Sequence, residues 1–296
     1  MQVDVAINAL GRPYQTFLGV ATLLKYNAEF IDRIYLIIDA DTPDEEKDKF
    51  SIIREHYPDS VELVRSEYAH GYFDNITGPF DDETYRMGIR YQYAWEKSAS
   101  RFLFVTHNDT SFTGPVVEKM LDAIEDNIII GQLGVCWNCP AHWAGKCSRG
   151  QYASYKPSYN EVYELYTTTQ APVNNQYDFG YHRTNFNEKW RTAPWPLPHC
   201  RVHEWCCLIN LEAAKKVTVP HGPATPFGAT TYIGEIMVDT ACEWFHDVMN
   251  MGFTAKDFPI EDYFIHRSGI SQSFDRVKYL LSEKQAIEDL RELGII

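Results

Sequence analysis

Val3-Asp4-Val5-Ala6-Ile7-Asn8, closed by the turn Gly11-Arg12-Pro13, reads as a short buried strand. It runs straight into a helix, because Phe17, Val20, Ala21 and Leu24 recur at helical spacing. A second apolar run, Ile34 to Ile38, ends in Asp39-Ala40-Asp41-Thr42-Pro43, and a charged helical stretch follows from Glu45. Val61 to Val64 is a third short strand. Strands that alternate with helices and end in polar loops predict an α/β fold with a parallel sheet. Such sheets bind ligands beyond the carboxyl ends of their strands, which puts Asn8, Asp39 and Asp41 beside a candidate nucleotide pocket.

Outward from this core, residues 70–82 read as a Gly- and Asp-rich loop. A helix is expected from about Glu83 to Lys97, with Arg86 and Arg90 on one face. It feeds the strand Phe102-Leu103-Phe104-Val105, which ends at Thr106-His107-Asn108-Asp109, and Pro115 opens the next helix. Asn127 to Gly131 is another strand. Between about Cys136 and Cys200 the texture changes to Tyr, Trp, Pro, Asn and Cys, a composition expected to form a long insertion without a core of its own. Strand character returns at Trp205 to Asn210, a helix at Thr240 to Met251, and an amphipathic C-terminal helix at Glu283 to Leu293. The expected organisation is one catalytic domain over 1–296, with a ligand-binding half (1–135), the insertion (136–202) and a second half ending in the C-terminal helix (203–296).

Bulk composition agrees with this. The 296 residues suffice for one large α/β domain, and 45% hydrophobic content is that of a globular chain. With 41 acidic against 27 basic residues the net charge is −14, which disfavours nucleic acid and anionic membrane as partners. No run of about 18 apolar residues is present, so no membrane span is expected. The start lacks a secretion signal and the tail a lipidation motif, which together imply a cytoplasmic protein that meets the inner face of a membrane only through partners. The 19 Tyr, 16 Phe and 7 Trp supply core volume and flat faces that stack on sugars.

The order of these pieces resembles the GT-A glycosyltransferases. Val3 to Asn8 and Ile34 to Asp39 look like the family's first two strands, the second ending in an aspartate that contacts the nucleotide. Arg101 to Asp109, with Gly114-Pro115 behind it, occupies the place of the hydrophobic strand and D-x-D motif. The first aspartate is replaced by His107, and Asp109 retains the second. Glu235-Ile236-Met237-Val238-Asp239 with Gly252-Phe253 is similar to the family's acceptor-base region, and Tyr263 to Gly269 to its late strand bearing a metal-binding histidine. The resemblance implies a Rossmann-like, mixed and mainly parallel sheet with helices on both faces. It also implies a nucleotide contact from Asp39, and a donor metal, Mn2+ or Mg2+, held by His107, Asp109 and His266; Asn8, Asp41 and Asn108 at the strand ends and Arg86 and Arg90 on one helix face are further candidates to contact the nucleotide.

Chemistry gives independent reasons for these residue types. A leaving diphosphate needs its charge neutralised, and a divalent cation on carboxylate and imidazole ligands does this as a Lewis acid. Taken singly, Asp109 also fits a turn or helix cap, and His266 a buried hydrogen-bonded histidine. For the base that deprotonates an acceptor hydroxyl, Asp239, Glu235 and Glu204 are rivals; Asp239 also fits an acid at a helix N-terminus. Trp205, Trp137 and Trp143 are candidate platforms for sugar rings.

Of the seven cysteines, Cys136-x-x-Cys139 with Cys147 and Cys200 has the make-up of a structural zinc site, with His142 as a substitute ligand. Redox use and unrelated buried thiols are the alternatives. Cys206, Cys207 and Cys242 read as small core residues. The function expected is transfer of a sugar from a nucleoside-diphosphate sugar to a hydroxyl of a glycan or other acceptor, with inversion. A sugar nucleotidyltransferase fits less well, because Gly11-Arg12-Pro13 is thin for a phosphate loop. A non-catalytic carbohydrate-binding protein is the third reading, supported by the missing first aspartate.

Overall fold

The computed structural model describes residues 2–68, 70, 76–134, 136–172, 186–234, 236–267 and 275–296. Strand β1 (Val3–Ala9) is an interior strand of a seven-stranded sheet. Helix α1 (Pro13–Asn27) follows it, then β2 (Ile31–Ile38), α2 (Asp44–Lys47), α3 (Ser51–His56) and β3 (Val61–Arg65). The chain crosses back through α4 (Glu83–Met87) and α5 (Gln92–Lys97) to β4 (Phe102–His107), which pairs with the other side of β1. After β5 (Thr110–Phe112) and α6 (Val116–Ala123), the outer strands are β6 (Ile129–Leu133), β7 (Val202–Asn210) and, after a separate antiparallel pair of β8 (Thr231–Ile233) and β9 (Ile236–Val238), β10 (Ala255–Asp257). The order is β10-β6-β7-β4-β1-β2-β3, with β7 antiparallel to its neighbours and the other pairs parallel. This is a mixed, mainly parallel, Rossmann-like arrangement. The sequence reversal on either side of β1 opens a crevice between the carboxyl ends of β1 and β4, where such sheets take ligands.

Alternation along the strands divides the interior. Val3, Val5, Ile7 and Ala9 face a cluster with α1, α6 and the C-terminal helix (Arg276–Glu292). Ala6, Tyr35, Ile37, Leu103 and Val105 face a second cluster with α5, α10 (Leu211–Val217) and α11 (Cys242–Asn250). By the same alternation Asn8, Asp39 and His107 continue that second face past the core to the sheet's edge, and Asn8 and His107 are direct partners.

Three sequence expectations change. The span from Glu83 to Lys97 is two short helices, because the chain turns at Gly88 and at Tyr91, whose φ of 63° is left-handed and cannot continue a helix. The insertion does build a core: Cys139, Ala141, Val162, Leu165, Tyr166, Phe186, Trp190 and Leu197 pack with Ile233, Val238 and Cys242. Its helices include α7 (Pro140–Trp143), α8 (Tyr159–Thr168), opened by a Ser158–Glu161 capping box, and α9 (Glu188–Thr192). The C-terminal helix starts at Arg276 and so exceeds the expected span. Among the described residues, no helix is long and apolar enough to cross a membrane.

Helix α1 is buried on most sides, between the sheet and the C-terminal helix. Glu283 of that helix accepts the Tyr14 and Gln15 backbone N–H groups at 3.0 and 3.1 Å, satisfying donors that the first turn of a helix leaves open. The positive end of α1 is thus capped by the protein's own carboxylate.

A Cβ on Gly19 would stand 2.8 Å from the Thr110 carbonyl oxygen, so α1 lies directly against the turn after β4. Alanine there gains about 1 kcal/mol of helix propensity, while overpacking costs about 1–3 kcal/mol. Gly19→Ala is therefore expected to lower the melting temperature; an unchanged or raised value contradicts this packing.

Candidate metal and donor site

The end of β4 is shaped by its own hydroxyls. Thr106 Oγ1 donates to the Trp205 carbonyl at 2.9 Å, and Thr110 Oγ1 to the His107 carbonyl at 2.8 Å, fixing a tight turn over residues 107–110. Strand β11 (Phe264–His266) pairs antiparallel with β5 and sets His266 opposite Thr110. Arg267 N–H donates to the Asp109 carbonyl at 2.8 Å. Local pairing alone thus carries a histidine from late in the chain to the end of β4.

The result is a three-ligand cluster. His107 Nδ1, Asp109 Oδ1 and His266 Nε2 lie within 4.8 Å of one another. The separations are 3.7 Å from His107 to Asp109, 3.4 Å from His266 to Asp109 and 3.4 Å between the imidazoles. Ligand atoms about 2.1 Å from one cation stand about 3.0–3.5 Å apart, so two nitrogens and a carboxylate oxygen fit a divalent ion with modest adjustment. Asp109 is buried, which opposes its ionisation, but His266, His107 and Arg12 outweigh burial and hold the carboxyl well below its usual range. Glu204 lies behind His107, with Oε1 3.4 Å from Nε2. A carboxylate on Nε2 leaves Nδ1 as the lone-pair nitrogen facing the cluster, the arrangement by which outer carboxylates orient metal-binding histidines.

Glu204 is itself buried. Burial would raise its carboxyl, but the charge of Arg201 and contact with His107 hold it well below the ordinary value. Arg201, 4% exposed, donates to Glu204 Oε2 at 3.1 Å and to Asp239 Oδ2 at 3.0 Å. Asp239 keeps half its side chain exposed, and its Oδ1 accepts the Thr240 N–H at 2.8 Å. Asp239 does not cap α11, whose N-cap position is Ala241 and has no side-chain cap. Trp205 forms a wall of the cluster: His203 stacks on it at 4.2 Å, and the His266 ring lies 4.8 Å away.

On the far side of β1, Asp39 is buried at the end of β2, its N–H on the Ala9 carbonyl and its Oδ1 accepting the Asp41 N–H at 3.0 Å. Burial raises its carboxyl despite that bond and the nearby Arg90 charge. Asp41 is exposed. Beside them, a cavity of about 270 Å³ opens at the ends of β2 and β3, lined by Ile37, Val64, Ser66, Glu67, Met87 and Gly88.

Other expected site residues fall elsewhere. Arg86 is tied to Glu96 at 2.6 Å and to the Phe80 carbonyl, because the break after α4 separates it from Arg90. Arg90 donates to Thr240 Oγ1 at 3.0 Å, beside Asp239. Asn108 is committed to its own chain: Nδ2 donates to the Gly11 carbonyl at 3.1 Å, and Oδ1 accepts from Arg12 at 3.4 Å. Trp143 packs on the insertion core, away from β4. Glu235 and the Trp137 side chain lie outside the described residues. Sequence reasoning missed Arg12 and Arg201. Arg12 sits in the turn after β1, where the switch-point rule already pointed, and Arg201-x-x-Glu204 places a cation near a rival base.

No protein-family model matches the chain, and no curated protein is similar to it in sequence. Among solved structures, the mannosyltransferase PcManGT from Pyrobaculum calidifontis, in complex with GDP-Man and Mn2+, is similar with a TM-score of 0.47 and 9% identity, over 87% of this chain and 55% of that one. TarS 1-349 of S. aureus gives 0.32 and 13%, over 46% and 36%. GalNAc-T7 with UDP, GalNAc and Mn2+ gives 0.35 and 15%, over 45% and 23%. This chain thus spans about half the length of the first of these and less of the others.

Glu204→Gln should lower the melting temperature, because Arg201 loses its buried partner charge, and should weaken Mn2+ binding about 10- to 100-fold in the folded protein, as loss of a metal-orienting carboxylate does. Calorimetric titration with manganese checks this; wild-type affinity in the variant would remove Glu204 from the site.

Proposed function

We propose that this protein is a divalent-metal-dependent glycosyltransferase that moves a sugar from a nucleoside-diphosphate sugar to an acceptor hydroxyl. The observation that carries the reading is the His107–Asp109–His266 cluster at the crevice between β1 and β4, with an exposed carboxylate, Asp239, linked to it through Arg201.

His107, Asp109 and His266 hold the cation. Two imidazoles among three ligands favour Mn2+ over Mg2+, which prefers oxygen ligands. Bound there, the cation supplies Lewis-acid neutralisation of the diphosphate. Arg12 adds fixed positive charge beside Asp109. Because Glu283 caps α1, the helix N-terminus is not the phosphate cradle, and the cluster takes over that task. Asn8 and Asp39 line the nucleoside side, with the cavity at the ends of β2 and β3 for the base.

Asp239 is the general base. Its carboxylate is half exposed, whereas Glu204 is enclosed and bound on both sides, by Arg201 and His107. In direct displacement the acceptor oxygen bonds to the anomeric carbon as the bond to the diphosphate breaks, and the hydroxyl proton passes to Asp239. Arg201 keeps that carboxylate aimed. Glu204 acts as a positioning residue for His107. Trp205 stands where a sugar ring would meet the cluster.

A thermal-shift panel of nucleoside diphosphates and their sugars, with and without manganese, identifies the donor, since a bound ligand raises the melting temperature. With that donor, Asp239→Asn should lower turnover about 100-fold or more while leaving donor affinity unchanged. Near-wild-type turnover would remove Asp239 as base. A panel without any manganese-dependent shift would remove the transferase reading.

A further inference from the structure

We propose that Cys136, Cys139, Cys147 and Cys200 form a structural site for one zinc ion, separate from the cluster at the end of β4. The observation is convergence: Cys200, far along the chain from the other three, lines the same small cavity as Cys136, Cys139 and Cys147. That cavity holds about 20 Å³, room for one water-sized sphere, and His142, Arg149, Tyr152, Leu197 and His199 complete its wall.

The backbone turns tightly around the pair: Cys139 N–H donates to the Cys136 carbonyl at 3.2 Å, His142 N–H to the Cys139 carbonyl at 3.0 Å, and Cys147 N–H to the Ala141 carbonyl at 3.2 Å. Four sulfurs around a cavity of this size are soft ligands, which select zinc over the hard cations. All seven cysteines are free.

The histidines have other work. His142 Nδ1 holds the Cys147 carbonyl at 3.1 Å, bracing the loop. His199 stacks on Tyr166, and burial depresses its imidazole to about 3. No three of the sulfurs close within 4.8 Å, so zinc would draw them inward across the cavity. The site would fasten the loop around α7 to the segment ending at Cys200, immediately before Arg201.

Elemental analysis of full-length protein, purified under reducing conditions without added metal, tests the proposal. About one zinc per chain is expected, retained in Asp109→Asn and in Cys206→Ser and lost in Cys136→Ser/Cys139→Ser. Should that double variant fail to fold, cobalt(II) exchange into wild-type protein reads the ligands directly, and thiolate-to-cobalt charge-transfer absorption is the expected result. Absence of zinc together with no such absorption would overturn the site. So would zinc that depends on Asp109 and not on Cys136 and Cys139.

Discussion

The guanidinium of Arg201 is the constraint on which the site depends. Almost wholly buried, it is held by the carboxylates of Glu204 and Asp239 and by Cys242 Sγ at 3.3 Å. A charge removed from water survives only with partners this close, and taking one partner away costs about 3–5 kcal/mol. Each partner belongs to a different part of the machinery. Glu204 contacts His107 of the His107–Asp109–His266 cluster, Asp239 is half exposed, and Cys242 begins α11. One guanidinium therefore fixes the distance between that cluster and the open Asp239 carboxylate.

The sheet supplies the other half of the constraint. Because β2 and β4 pair with opposite edges of β1, the crevice opens at Asn8 and His107, and strand alternation brings Asp39 to the same face. The turn after β4 is pressed by α1 through Gly19, and α1 is capped by Glu283. The C-terminal helix thus braces the metal end of β4 through α1, and its Asp289 pairs with Arg267, next to His266, at 2.9 Å. Tyr279 completes the brace, its hydroxyl accepting the Arg12 N–H at 2.9 Å and donating to Glu46.

The α/β class and the strands β1 to β4 were legible in the sequence, because short apolar runs ending in polar residues mark strands and put His107 and Asp109 at a strand end, whereas His266 was brought to them by the resemblance of Tyr263 to Gly269 to a late metal-binding strand. What was not legible depends on tertiary choice. Arg86 and Arg90 share a helical face only if the helix is continuous, and the left-handed Tyr91 breaks it. Asn108 looked like a ligand contact because it follows a strand, yet its amide is needed by the turn at Gly11 and Arg12. The insertion's aromatic and apolar residues carried no clear period, so its core around Tyr166 and Trp190 was missed. The roles of Asp239 and Glu204 separate on exposure alone, half-open against enclosed, which no spacing encodes.

The proposed function puts metal and nucleotide in one crevice, and so requires their binding to be thermodynamically coupled. Titrating a nucleoside diphosphate with and without manganese, and manganese with and without the nucleotide, measures that coupling directly. Each should strengthen the other by the same factor, since linkage is reciprocal, and the factor should collapse toward one in Asp109→Asn. Nucleotide affinity indifferent to manganese in the wild-type protein would contradict the account.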